Sequence, residues 1–174
     1  MPSRPFLLRN PLPTSKRLGP RGLGRYYAPH GPPPAVTPTP EPREMTRMLS
    51  VGAPNAKVKR MYRAVLEAQL AAIDAVRPGV TTVRVDAAAR RVLAGYGLDQ
   101  VFIHSTGHGL GLEIHEPPRL GKRDRHHLRP GMAITIEPGA YIEGFGGVRI
   151  EDTVVVTETG CEVLTPTPKE LHIV

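Results

Sequence analysis

The densest chemistry in the chain lies between His104 and Glu116, where His104, His108 and His115 are interleaved with Gly107, Gly109 and Gly111. Glycine lets a backbone turn sharply and approach a ligand closely, so this spacing suits a place where side chains must converge. Two acids follow in distinctive settings. Glu137 closes an apolar run before Pro138-Gly139, and Glu151 sits in Gly147-Val148-Arg149-Ile150-Glu151-Asp152. An inward-facing acid at the end of a β-type segment is costly unless it is paired or bound to a cation. One imidazole with several carboxylates is a hard, oxygen-rich donor set. It suits manganese, cobalt or zinc in a two-metal centre better than a structural zinc. Taken singly, each residue also has a plain structural reading. His108 reads as a hydrogen-bonded core histidine, and Glu137 and Glu151 as strand-end ion pairs. Asp152 reads as solvent-facing, and Leu110, Leu112 and Ile114 as core. His126-His127 falls in a polar stretch, residues 121–129, that reads as a surface loop.

The elements that must position these residues follow from periodicity. Met45 to Val51 reads as a strand closed by Gly52-Ala53-Pro54. From Asn55 to Val76 the apolar residues Val58, Met61, Tyr62, Val65, Ala68, Ala72, Ile73 and Val76 form a helical stripe, which Pro78-Gly79 stops. A second helix begins near Thr82, with Val85, Ala89, Val92 and Leu93 on one face, and ends at Gly95 and Gly97. Beyond Gly97 short β-type segments appear at residues 101–104, 111–115, 133–137, 148–151 and 152–157. Glu158-Thr159-Gly160 reads as a hairpin turn into a strand over 161–164. Two helices followed by a run of strands predict an α+β domain, helices packed on a mainly antiparallel sheet.

Composition divides the 174 residues in two. Residues 1–42 hold 12 of the 20 prolines, six Arg or Lys and one acid, Glu41, whereas residues 43–174 carry a net charge of only +2. The overall +7 therefore belongs mainly to the first segment, and the remainder lacks the electrostatic signature of a nucleic-acid binder. Tyr26-Tyr27 near Arg21 and Arg25 is thin support for such a role. Gly31-Pro32-Pro33-Pro34 and Pro38-Thr39-Pro40 remove backbone donors, and disorder is expected over 1–42. Cys161 is the single cysteine, which excludes an internal disulfide and a zinc-type cysteine cluster and points to a reducing compartment. No apolar run reaches the length of a membrane span, and Phe6-Leu7-Leu8 is too short for a secretory core. A cytoplasmic protein without membrane partners is expected, with an Arg-rich transit peptide as the alternative.

The stretch His104–Glu116 resembles the signature of the aminopeptidase P and prolidase family, the pita-bread metallopeptidases. Leu128-Arg129-Pro130-Gly131-Met132, Ile136-Glu137-Pro138-Gly139, Val148-Arg149-Ile150-Glu151-Asp152, and upstream Thr46-Arg47 with Val51-Gly52 match in order and spacing. The resemblance runs from Glu44 to the C-terminus. It implies a pita-bread (creatinase/aminopeptidase-like) fold, helices on a curved sheet, and hydrolysis of X-Pro bonds in short proline-containing peptides. It implies two divalent metal ions, manganese first, with cobalt or zinc as alternatives. His108 is then the single histidine ligand, Glu137 a ligand and general base, and Glu151 the ligand bridging the metals. His104 and His115 line the substrate site and stabilise the tetrahedral intermediate, and Arg149 supports the carboxylates. A homodimer is a further expectation. Methionine aminopeptidase shares the fold, but His104, four residues before His108, favours the proline-specific branch.

The resemblance breaks at its start. The family has five metal ligands, two of them aspartates on a hairpin. The second falls at Glu44, one methylene longer, and the first, eleven positions earlier, at Pro33, which cannot coordinate. The domain at 43–174 thus reads as the C-terminal two-thirds of a pita-bread domain with its first hairpin missing. One bound ion, lost activity, or a non-catalytic binding module become alternatives. Residues 1–42 read either as a genuine extension or as the product of a shifted reading frame. Translating the upstream DNA in the other two frames tests this. The frameshift reading expects a glycine-rich hairpin carrying two aspartates at that spacing, and finding it in neither frame rules the reading out.

Overall fold

The computed structural model describes the backbone of residues 5–9 and residues 44–174. Pro33 and Tyr26-Tyr27 lie outside these described residues. Strand β1 (Pro5–Arg9) pairs antiparallel with β2 (Thr46–Ser50), so these five residues are paired where the proline-rich composition predicted disorder.

Helix α1 (Ala56–Asp74) starts where expected. Asn55 caps it, its side-chain oxygen accepting the Val58 N–H at 2.9 Å, and the stripe Val58, Met61, Tyr62, Val65, Ala68 and Ala72 is buried. After Pro78, Gly79 turns the chain with φ +82° and donates its N–H to the Leu128 carbonyl. Helix α2 (Thr82–Gly95) buries Val85, Ala89 and Leu93. The strands β3 (Gly107–Gly109), β4 (Glu116–Leu120), β5 (Ala133–Ile136), β8 (Asp152–Val156) and β9 (Cys161–Val163) form an antiparallel sheet in the order β4-β3-β5-β8-β9. A separate hairpin joins β6 (Gly139–Ile142) to β7 (Gly146–Arg149), and β10 (His172–Ile173) runs parallel to β2. One continuous core links both helices to the inner faces of the sheet, through Met61, Val65, Leu93, Leu120, Ile134, Ile136, Val148 and Val154. Among the described residues no helix is long and apolar enough to cross a membrane.

Three expectations are corrected. Residues 101–104 form no strand. A 3-10 turn at Asp99–Val101 takes in the first of them, and the carbonyls of Phe102 and His104 accept from the Arg90 guanidinium (3.0 and 2.6 Å) rather than from a neighbouring strand. Residues 111–115 also form no strand. Leu112 (75% exposed) and Ile114 (64%) stand in solvent, and only Leu110 is core. Local bonds, Gly111 N–H to the Glu113 carbonyl and Glu113 N–H to Glu116 Oε1, hold this bend. The strand comes next, at Glu116–Leu120, where Pro117 and Pro118 are tolerated because β4 is an edge strand.

Asp152 is the third correction, being 0% exposed. Its Oδ1 accepts from Arg47 (2.7 Å) and the Thr165 hydroxyl (3.1 Å), and its Oδ2 from Lys169 (2.8 Å) and Gln69 Nε2 (2.7 Å). This carboxylate gathers β2, α1, β8 and the C-terminal segment. Removing one partner of a buried ion pair strands the other charge, so Asp152→Ala should cost about 3–5 kcal/mol of unfolding free energy, read by urea denaturation.

Candidate metal centre

His108 lies on β3 between β4 and β5 and is buried. Gly107 beside it passes so close to β5 that a Cβ there would lie 1.8 Å from the Thr135 carbonyl oxygen. That approach lets the His108 N–H reach the Thr135 hydroxyl at 3.1 Å, and the same hydroxyl donates to Glu137 Oε1 at 3.4 Å. The Glu137 N–H in turn donates to the Thr106 carbonyl at 2.6 Å. Histidine and glutamate are thus fastened to each other through backbone and one threonine.

The ring of His108 has a defined polarity. Its Nδ1 lies 3.0 Å from the Gly109 carbonyl, which can only accept, so Nδ1 carries a proton. Nε2 then faces Glu137 Oε1 at 3.3 Å and Glu44 Oε2 at 3.7 Å. Burial alone would lower the imidazole's pKa, but the hydrogen bond and charge of Glu137, with Gly109 and Glu44, carry it above its ordinary value. Burial would raise Glu137, yet His108, Arg149 and His104 hold it below the usual carboxylate range. Glu44 is delivered by its backbone. Its N–H donates to Thr153 Oγ1 (2.8 Å), and that hydroxyl donates to the Glu44 carbonyl (2.9 Å).

Glu151 follows from the pairing of β2 with the start of β8. Thr46 and Glu151 exchange backbone hydrogen bonds of 3.3 and 3.2 Å, the Arg47 guanidinium donates to the Glu151 carbonyl at 2.7 Å, and the Thr46 hydroxyl donates to Glu151 Oε2. Burial pushes the Glu151 carboxyl up to about 7. The Thr46 hydroxyl opposes this, the negative charges of Glu137 and Glu44 add to it, and Arg149 offsets part. A cation among these groups would relieve that penalty. The donors, one imidazole and three carboxylates, are right in kind for a hard divalent ion. Their present spacing is that of ion pairs. No three His, Cys, Asp or Glu side chains among the described residues close into a metal cage.

The other expected site residues flank this group. The His115 ring lies 4.3 Å from that of His108, centroid to centroid. Arg149 reaches Glu137 Oε2 at 3.7 Å, and its buried Nε has no hydrogen-bond partner among the described residues. His104 joins through Tyr141, a residue the sequence reading missed. His104 Nδ1 donates to the Ser105 carbonyl (2.8 Å), which leaves Nε2 to accept from the Tyr141 hydroxyl (3.2 Å) in the neutral ring. Burial lowers the His104 pKa and favours that neutral form. Burial likewise raises the Tyr141 phenol, against the pull of Arg149. The sequence does carry a trace of Tyr141. A Cβ on Gly147 would lie 2.4 Å from its Cδ1, so the glycine leaves room for the ring. Asp86 and Arg90 on α2 were also missed. Asp86 accepts from the Thr106 N–H and hydroxyl (3.2 and 2.9 Å) and pairs with Arg90 at 2.7 Å, which holds the His104–Thr106 segment in place. As expected, His126 is exposed on its loop, paired with Asp124.

Helices packed on a mainly antiparallel sheet, with an imidazole and carboxylates at its strand ends, make up a pita-bread domain. The sequence profile of metallopeptidase family M24 matches residues 43–158, and the chain belongs to that family. It is similar to the Xaa-Pro dipeptidase of Pyrococcus furiosus, 52% identical over 128 residues, which cover 74% of this chain and 37% of that protein. Its structure is similar to the prolidase from Pyrococcus horikoshii OT3 (TM-score 0.73, 50% identity, 74% of this chain and 37% of that one). It is also similar to the Xaa-Pro dipeptidase from Bacillus anthracis (TM-score 0.74, 50% identity, 75% and 37%). The chain spans a little over a third of the length of the relatives it matches.

The close approach at Gly107 gives a direct check on how β3 is seated. Gly107→Ala forces β3 off β5 and should cost roughly 1–3 kcal/mol in chemical denaturation. An unchanged midpoint would mean that His108 is not held in this way.

Proposed function

We propose that this chain is the metal-dependent catalytic part of a peptidase that hydrolyses X-Pro bonds in short peptides. The observation that carries the reading is the orientation of His108, with Nδ1 committed to a carbonyl and Nε2 turned toward the Glu137 and Glu44 carboxylates. The names of the relatives supply the substrate class. His108, Glu137 and Glu151 would hold the ion, with Glu44 standing in for an aspartate, and manganese is the favoured metal over cobalt or zinc. A divalent cation bound here would acidify a water and polarise the scissile carbonyl.

The chain's own residues supply the rest. Glu137, kept ionised by His108 and Arg149, takes the proton from the attacking water. Arg149 fixes the Glu137 carboxylate, and its buried Nε has no hydrogen-bond partner among the described residues. His115, whose ring lies beside that of His108, would donate to the developing oxyanion. His104 acts through Tyr141, whose hydroxyl it orients. The tertiary amide of proline has no N–H to offer, so recognition must rest on the ring and the peptide termini. The near absence of cysteine supports a cytoplasmic setting, and a homodimer is consistent with the family resemblance.

A second reading is a pita-bread module that binds without cutting. Glu44 and Pro33 at two ligand positions, and the lack of a closed cage among the described residues, favour it. Manganese content after dialysis, measured alongside hydrolysis of Ala-Pro, separates the two. The peptidase reading predicts retained metal and turnover, with Glu137→Gln slower by roughly 10²–10⁴-fold and His108→Ala unable to retain metal. A chain that keeps no metal and cuts nothing is the module.

A further inference from the structure

His115 lies on the bend between β3 and β4, where Leu112, Glu113, Ile114 and His115 itself are all exposed. Among the described residues its side chain touches the ring of His108 and makes no hydrogen bond or ion pair. Nothing grips the imidazole from the side, so the backbone of the bend must aim it. An exposed bend with few buried contacts opens at little cost unless local bonds hold it. Both ends of this one are fixed. The Leu110 N–H donates to the Ala133 carbonyl at 2.9 Å, and Glu116 pairs with Gly109 in the ladder of β3 and β4. Between those ends the Gly111 N–H reaches the Glu113 carbonyl at a long 3.4 Å. The stronger tie runs from the Glu113 N–H to Glu116 Oε1, at 2.8 Å. A carboxylate acceptor makes that bond charge-assisted. The glutamate of a helix capping box reaches back three residues to a backbone N–H in the same manner.

We infer that Glu116 is the positioning residue for His115: its carboxylate braces the bend from within and keeps the His115 ring beside that of His108. The inference rests on the peptidase reading for what His115 does, and adds the group that holds it in place. Gly111 completes the brace. A Cβ there would lie 2.6 Å from Glu116 Cδ and closer still to Oε2, so the glycine leaves the seat that the carboxylate fills. Gly111 does not adopt the left-handed region, so it is the carboxylate rather than the backbone that demands a glycine. Glu116 is a firm base for the brace, because Pro118 and Leu120, the next residues of β4 on the inward side, are buried. It also follows His115 directly in the chain, so a shift of the brace is passed to the imidazole without an intermediate. A misplacement of about 1 Å at a reacting centre can slow a reaction by roughly a hundredfold.

Two measurements on the full chain test this, one of them independent of activity. In the metal-free chain with labelled histidines, a nuclear Overhauser contact between the His108 and His115 rings should be present. Glu116→Ala and Gly111→Ala, which remove or displace the carboxylate, should abolish it. Glu116→Gln, which keeps an acceptor oxygen, should restore it, and Glu113→Ala, which keeps the backbone N–H, should leave it as in the parent. In hydrolysis of Ala-Pro, Glu116→Ala should lower kcat roughly tenfold to a hundredfold with little change in KM. The same substitution in a His115→Ala background should cost no more than about twofold, because the residue it acts through is already gone. No ring contact in the parent, a contact that persists in Glu116→Ala and Gly111→Ala, or a loss that Glu116→Gln shares would overturn the inference. So would a kcat loss that repeats in full without His115. A parent that shows the contact and its loss on Glu116→Ala, but never cuts Ala-Pro, removes the peptidase reading and leaves the brace. Turnover in Glu116→Ala at the parent rate, with the contact intact, does the reverse.

Discussion

Three carboxylates share one partly buried space with a single imidazole. Glu44 and Glu137 both face His108, and Glu151 is close enough for their charges to help lift its carboxyl to about 7. Like charges withdrawn from water repel, and their desolvation is unfavourable unless a counter-charge is supplied. The protein supplies Arg149 in part, and the neighbouring carboxylates raise the pKa of the His108 imidazole. The rest of the structure follows from the need to hold these acids together against their repulsion.

The holding is done by groups that do no chemistry. Asp152, adjacent to Glu151, is compensated by Arg47, Lys169, Gln69 and Thr165, so one residue is made fully neutral in its surroundings while its neighbour is not. Arg47 also takes the Glu151 carbonyl, and the C-terminal segment returns to β2 through β10 and to α1 through the Tyr62 hydroxyl on the Lys169 carbonyl. On the other side, the Asp86–Arg90 pair of α2 secures the His104–Thr106 segment, and Thr106 secures Glu137. Helices and tail act as a rigid mount for strand ends, which is how a mainly antiparallel sheet can bring His108 on β3, Glu137 just after β5 and Glu151 just before β8 near one another.

Much of this was legible in the sequence. Both helices could be read because their apolar residues repeat with a helical period and Asn55, Pro78 and Gly95 punctuate them. His108, Glu137 and Glu151 could be read because their motifs are specific and ordered. Leu112 and Ile114 misled because apolar alternation looks the same in an exposed bend as in a strand, and only tertiary contacts decide. Asp152 misled because a buried acid and a solvent-facing acid look alike until Arg47 and Lys169, over 100 residues before it and 17 after it, are brought to it. Tyr141 and Arg90 escaped for the same reason. Each acts through a contact across sequence, on His104 or its carbonyl, that no local pattern encodes.

The central claim is that this cluster of acids around His108 is a cation site. Thermal unfolding of the chain with and without manganese tests it most directly. A cation that binds the folded cluster stabilises it by mass action, about 2.7 kcal/mol at a hundredfold excess over its dissociation constant. The account predicts a rise in Tm with manganese that is lost in Glu151→Gln, whose own metal-free Tm equals or exceeds that of the parent because one buried charge is gone. A Tm indifferent to manganese, cobalt and zinc, or an equal rise in Glu151→Gln, would contradict it.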